Sequence, residues 1–202
     1  MILSNPQRAF VMTLLLIVMA ATRANHFAIV PDASWAVFFI GGFYLRSWTR
    51  WAFPLLMALA VAVDYFVITA QGLSFWQHYC VSPGYWLLLP AYVSLWLGGA
   101  WLQRYSGGSI RWRTLGLAAA SLFVAVVLCQ LFSQGGFYWL SDTVANPTFA
   151  GWAENYNDWL WPFMQTAAIY VGIAAVAHVV VALSISALGD LSGDDITDHL
   201  RR

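Results

Sequence analysis

The chain has 202 residues, of which 61% are hydrophobic, 17% aromatic and only 9% charged, and its formal net charge is zero. A soluble domain carries about a quarter charged residues and about half apolar ones. The polar surface is therefore too small to cover a soluble globule, which excludes a soluble enzyme, a disordered chain and a nucleic-acid binder with a basic face. We expect an all-α integral membrane protein whose first partner is the lipid bilayer.

Six charge-poor stretches follow one another along the chain. A membrane-spanning helix needs about 20 mostly apolar residues at about 1.5 Å each. The second stretch is short for a full crossing, and the sixth is long enough to project beyond the hydrocarbon. We predict a single six-helix transmembrane domain covering residues 1–202. In chain order, its spans are residues 7–22, 33–45, 51–70, 85–103, 114–134 and 159–188.

Local signals mark helix ends and helix contacts. Asp32 follows Pro31 and is expected to cap the second span. Small residues at Gly98-Gly99, and at small-xxx-small spacing elsewhere, allow neighbouring helices to approach closely.

The orientation of the domain is predicted from its basic residues, all nine of which are arginine. With six spans, eight arginines fall on one side of the membrane and only Arg23 on the other. Since basic residues are enriched in cytoplasmic loops, both termini are predicted to be cytoplasmic. The eight are Arg8, Arg46, Arg50, Arg104, Arg111, Arg113, Arg201 and Arg202.

The three loops on the outer face hold most of the reactive and amide-bearing side chains. They cover residues 23–32, 71–84 and 135–158, and the last is the longest. Aromatic rings mixed with Asn, Gln and Asp suit a large ligand that has flat apolar and amide-bearing parts. The pattern favours an outward-facing ligand cup, and the alternative is an aromatic girdle with a structured cap over the helix ends.

Cys80 is the strongest single candidate for a functional residue, because it lies in a polar outer loop shortly after His78. Residue chemistry leaves three roles open for it: a disulfide with Cys129, a nucleophile, or a soft ligand for a thiophilic metal. One Cys with one nearby His is too few ligands for a metal site built by the protein alone.

Two further polar residues lie within predicted spans. A carboxylate in the membrane is costly, so Asp64 is expected to be protonated, to bond a neighbouring helix or to form the floor of the cup. His178 lies deep in the sixth span and is expected to make a helix contact rather than to reach Cys80.

The six short-looped spans, the outer cup and the motif Trp76-Gln77-His78-Tyr79-Cys80 resemble the S-components of energy-coupling-factor transporters. Within that class the chain is similar to the BtuM-type cobalamin transporters, which are solitary S-components, and the resemblance covers essentially the whole chain. It implies an S-component-like bundle in a bacterial inner membrane that takes up cobalamin as its cobalt-containing substrate. It also implies that Cys80 is the axial cobalt ligand.

Cobalamin brings four corrin nitrogens, so one axial protein ligand is enough. An axial thiolate would displace the nucleotide base of cobalamin and labilise a ligand on the opposite face of cobalt, so that decyanation would be incidental to uptake and the protein would not otherwise be an enzyme. Other ligand-binding candidates are the amides of Asn25, Gln77 and Asn155, the rings of Trp76, Tyr79, Tyr85 and Trp159, and His26.

The resemblance also implies an energising partner, the ATP-driven module of these transporters. S-components dock it through small residues on the first helix, whereas here the clear pair, Ala20 and Ala24, lies toward the outer end. Transport without such a module is therefore the alternative.

A competing interpretation is an intramembrane thiol enzyme that uses Cys80, either an exosortase-like transpeptidase or a thiol redox protein. A transpeptidase would need a base and a cation, for which the outer face offers His26, His78 and Arg23. In exosortases, however, the Arg and His follow the Cys along the chain, and a redox protein would want paired outer cysteines.

Overall fold

A computed structural model of the protein describes residues 3–24, 31–78, 81–106 and 112–199, with side chains described for these ranges up to 184 except that of residue 112. The described residues form six α-helices joined by short loops and 3-10 turns. Five of the helical segments are long and apolar enough to cross a membrane. The helices are α1 (Asn5–Ala24), α2 (Ser34–Tyr44), α3 (Thr49–Ala70), α4 (Leu88–Ser106), α5 (Trp112–Leu140) and α6 (Phe149–His199).

Helix α2 forms the centre of the bundle, although it is the shortest. Its 11 residues extend about 16 Å, half of a typical hydrocarbon core. Eight of the 11 are buried, because α2 packs against α1, α3, α4 and α6. An apolar helix this short is stable in the membrane because protein surrounds it. The prediction that the second span is too short for a full crossing is confirmed.

Glycines bring α2 and α4 into backbone contact. A Cβ at Gly42 would overlap the carbonyl oxygen of Trp96, and a Cβ at Gly99 would overlap that of Phe39. In a bilayer, helix association depends on such close van der Waals packing, because lipid tails are as apolar as the side chains. The expected contact role of Gly98-Gly99 is confirmed.

The outside of the bundle is apolar. On α1 the buried residues Met12, Leu15 and Met19 recur on one face, whereas Phe10 on the opposite face is 70% exposed. Helix α6 leaves most of its apolar side chains exposed between Ile169 and Leu183. These faces are consistent with contact to lipid.

The third outer loop is much shorter than the predicted range 135–158. Helix α5 continues to Leu140 and α6 begins at Phe149, which leaves only residues 141–148 between them. The Thr148 side chain accepts the Gly151 backbone N–H at 3.1 Å, which caps α6 earlier than the aromatic pattern indicated. Most polar and aromatic residues of this region are therefore held on helices.

The described arginines are unevenly distributed between the two ends of the bundle. Arg8 at the start of α1 and Arg46 after α2 line one cavity together with Gln103 near the end of α4. Arg23 lies at the opposite end, beside the start of α2. The placement of these residues agrees with the asymmetry counted in the sequence, whereas Arg111, Arg201 and Arg202 lie outside the described residues. The cytoplasmic assignment of the arginine-rich end stays a prediction.

Replacing Gly99 by Ala tests the contact between α2 and α4. The added methyl group collides with backbone that cannot move aside, so we expect a loss of stability of about 1–3 kcal/mol. Gly116→Ala is the matched control, since a Cβ there meets nothing within 4 Å and alanine favours the helix. Thermal unfolding in detergent measures both, and equal melting temperatures would contradict the packing argument.

Candidate functional site

A buried ion pair joins α1 to α3 near the arginine-poor end. The Arg23 guanidinium donates from Nε to Asp64 Oδ1 and from Nη2 to Asp64 Oδ2, both at 2.7 Å. This two-bond geometry is the strongest arrangement for an arginine and a carboxylate. Of the alternatives for Asp64, the structure bears out hydrogen bonding to a neighbouring helix.

The remaining Arg23 nitrogen, Nη1, binds the start of α2 and the middle of the bundle. It lies 3.1 Å from Asp32 Oδ2, from Ser34 Oγ and from the Tyr92 hydroxyl. Asp32 Oδ1 accepts the Ser34 backbone N–H at 2.9 Å, but the N-cap residue of α2 is Ala33, one residue after the predicted cap. One guanidinium therefore connects α1, α2, α3 and α4.

Tyr85 completes this cluster from the chain segment that precedes α4. Residues Pro83–Leu87 form a 3-10 turn, and the Tyr85 hydroxyl donates to Asp64 Oδ2 at 2.7 Å. The Tyr85 ring meets the buried ring of Phe75 edge-on at 6.2 Å. We call Arg23, Asp32, Ser34, Asp64, Tyr85 and Tyr92 the Arg23 cluster.

The Arg23 cluster combines one positive charge with two carboxylates. The Arg23 side chain is 9% exposed, and those of Asp32 and Asp64 are 14% and 18% exposed. Leaving a buried charge without its partner costs about 3–5 kcal/mol. Each member is therefore held in place by the others, and the cluster is a rigid support for the chain segments attached to it.

A second set of contacts joins the Pro83–Leu87 turn to α5, and joins α5 to α6. A Cβ at Gly84 would overlap the carbonyl oxygen of Gly136 on α5. Also on α5, the Gln134 Nε2 donates a short hydrogen bond to Asn155 Oδ1 on α6. The predicted amide residue Asn155 is thereby fixed in orientation, half-buried on a helix rather than free in a loop.

Buried polar atoms without a protein partner lie near the same ends of α5 and α6. Within the described residues, Gln130 Nε2, Gln134 Oε1 and Trp152 Nε1 are buried and make no hydrogen bond. A buried polar atom is costly unless it is hydrogen-bonded, so these atoms are available to water or to a bound polar group. Gln130 and Gln134 had not been predicted from the sequence, although two glutamines one turn apart inside an apolar span were a signal.

The structure places the sequence-predicted ligand residues unevenly. Tyr85 is buried in the Arg23 cluster and Asn155 is bonded to Gln134, whereas Trp76 is 73% exposed and Trp159 is 52% exposed. Gln77 is exposed at the end of a 3-10 turn. Four predictions fall outside the described residues: Asn25, His26, Tyr79 and Cys80.

The structure also places the remaining thiol and histidine of the sequence argument. Cys129 is a free thiol, fully buried in the helical core. His178 Nδ1 lies 2.8 Å from the Tyr44 hydroxyl, which confirms its role as a contact between helices. In the described ranges, no three His, Cys, Asp or Glu side chains come together as a metal site.

Removing either half of the Arg23–Asp64 pair tests the Arg23 cluster. Arg23→Gln leaves two carboxylates without their cation, and we expect it to lower the free energy of unfolding by about 3 kcal/mol or more. Asp64→Asn keeps one hydrogen-bond acceptor for Arg23, so we expect it to lower the free energy of unfolding by less.

Arg113→Gln is the control, because it removes the same charge from an exposed position at the other end of the bundle. Thermal melting in detergent reports the three values. Equal melting temperatures for Arg23→Gln and Arg113→Gln would show that the cluster does not support the fold.

No protein-family model and no curated protein sequence matches the chain.

Proposed function

We propose that the protein binds cobalamin at its arginine-poor, outward face through an axial bond from Cys80 to cobalt, and mediates cobalamin uptake across a bacterial inner membrane. The observation that carries this proposal is the Arg23 cluster. The cluster fixes the chain at Arg23, just before the predicted ligand residues Asn25 and His26, and at Tyr85, shortly after Cys80.

Arg23 and Tyr85 are the two anchors. Asn25 and His26 follow Arg23 in the chain, and Cys80 precedes Tyr85 by five residues. Both anchors bond the same carboxylate, that of Asp64. A ligand site gains affinity when its supporting residues are fixed before the ligand arrives, and this shared carboxylate supplies such support.

The chemistry of the neighbouring side chains suits the rim of a corrin ring. Its edge carries amide groups, which need both donors and acceptors. Close to Asn155, Gln134 Oε1 can accept a hydrogen bond from a ligand and Trp152 Nε1 can donate one, because neither atom has a partner among the described residues. Because the corrin nitrogens already hold cobalt, a single thiolate from the protein completes the binding.

The competing thiol enzyme finds less support. Its cation would be Arg23, whose three nitrogens already make five hydrogen bonds, to Asp64, Asp32, Ser34 and Tyr92. His178, bonded to Tyr44, lies in the cavity at the arginine-rich end. The enzyme proposal therefore depends on His26 or His78 alone.

The decisive experiment is a visible spectrum of protein purified from cells fed with cobalamin. We expect about one corrin per chain, with a spectrum shifted by thiolate ligation, and we expect Cys80→Ala to lose the shift. Cys129→Ala is the matched control, because it removes the other thiol from the buried core and should leave the shifted spectrum unchanged.

A colourless protein under saturating cobalamin would overturn the proposal and direct attention to Cys80 as a nucleophile. Growth of an uptake-deficient strain on limiting cobalamin then tests transport. Comparing strains with and without an energy-coupling module shows whether that module is a partner.

The variant Tyr85→Phe tests whether Tyr85 supports the ligand site without changing how cobalt is bound. The variant keeps the ring against Phe75 but loses the hydrogen bond to Asp64. We expect cobalamin to bind about tenfold more weakly while the spectrum of the bound form stays the same. A changed spectrum with unchanged affinity would contradict a positioning role.

A further inference from the structure

A long apolar groove runs between α1 and α6, with α2 as its floor. Its volume is about 830 Å³. The walls include Phe10 and Leu14 from α1 and Ile173 from α6, all of them strongly exposed. The groove is therefore open along its side to the surrounding bilayer.

The length of the groove matches one leaflet. Its α1 wall extends from Gln7 to Val18, a rise of about 17 Å along the helix. Its α6 wall extends from Tyr170 to Val181, a similar distance. Half of a typical hydrocarbon core is about 15 Å.

The two ends of the groove differ in charge. Arg8 and Arg46 line the end that carries most arginines, and the described residues that line the groove include no acidic side chain. Within the described ranges, the ion pairs between arginine and carboxylate are those of Arg23 at the other end of the bundle. The hydrogen bonds that Arg8 and Arg46 make to described residues go to the neutral amides of Asn5 and Gln103.

Inside the groove, the hydroxyl groups of Tyr44 and Tyr170 are bonded to other groups of the protein. His178 and the Tyr44 hydroxyl satisfy each other at 2.8 Å, and the Tyr170 hydroxyl donates to the Pro31 carbonyl oxygen at 2.9 Å. The rest of the lining is almost entirely aliphatic or aromatic. An occupant must therefore be a hydrocarbon along most of its length and anionic at one end.

We infer that the groove binds one anionic phospholipid from the leaflet at the arginine-rich end. Its acyl chains lie along α2, and its phosphate is bound by Arg8 and Arg46. Arginine is well suited to this task, because its planar fork donates two parallel hydrogen bonds to a phosphate. The inference is independent of the ligand proposed for the opposite face.

Native mass spectrometry of the full chain in mild detergent tests the inference with phosphatidylglycerol and phosphatidylcholine as probes. We expect one phosphatidylglycerol to be retained in preference to phosphatidylcholine. Arg8→Gln and Arg46→Gln should each weaken its retention about fivefold, the effect typical of one basic residue at an anionic surface.

Arg50→Gln and Arg104→Gln are the matched controls. They remove the same charge from the same end of the bundle, but neither residue lines the groove. A further variant, Ala177→Trp, fills the groove from an exposed position on α6 and should displace the lipid while both arginines remain.

Three outcomes would overturn the inference. Equal retention of the two lipids by the unaltered protein would indicate ordinary bilayer contact. An equal loss for all four arginine variants would indicate a diffuse charge effect. A dimer of the chain that Ala177→Trp converts to a monomer would show that the groove is a protein interface instead.

Discussion

The buried guanidinium of Arg23 is the interaction on which the arginine-poor half of the molecule depends. A charge in a membrane protein is costly unless it is paired, and Arg23 meets this cost with two carboxylates and two hydroxyl groups. Its partners come from the start of α2, from α3 and from α4, and Tyr85 in the turn before α4 bonds the same Asp64 carboxylate. One side chain therefore fixes the relative positions of segments that are far apart in sequence, and it does so next to the proposed ligand segments.

At the centre of the bundle, close packing rather than ion pairing holds the helices together. Helix α2 is too short to cross a bilayer by itself, but glycines allow it to lie against α4 in backbone contact. Because lipid gives little hydrophobic drive for helices to associate, such shape matching is what holds a buried helix in place. The short α2 also forms the floor of the groove between α1 and α6.

The two ends of the bundle thus have different chemistry. The arginine-poor end pairs the charges of Arg23, Asp32 and Asp64 with one another, and it leaves buried amide and indole groups without a partner among the described residues of α5 and α6. At the arginine-rich end, Arg8 and Arg46 lie beside an apolar groove and have no carboxylate partner within the described part of the chain. This division fits a protein that takes a polar ligand at one face and rests in lipid at the other.

The sequence by itself determined the membrane environment, the helical class and the approximate helix positions, because apolar stretches of fixed length have few other uses. It also identified Asp64 and His178 as polar residues in need of a partner. Only the tertiary structure decided which partners they have: Arg23 is 41 residues from Asp64, and Tyr44 is 134 residues from His178. Local pattern likewise failed at residues 135–158, where a polar aromatic stretch resembles a loop but is helical at both ends. Pairing across such distances depends on how the helices pack, and helix packing in lipid depends on shape that no single segment encodes.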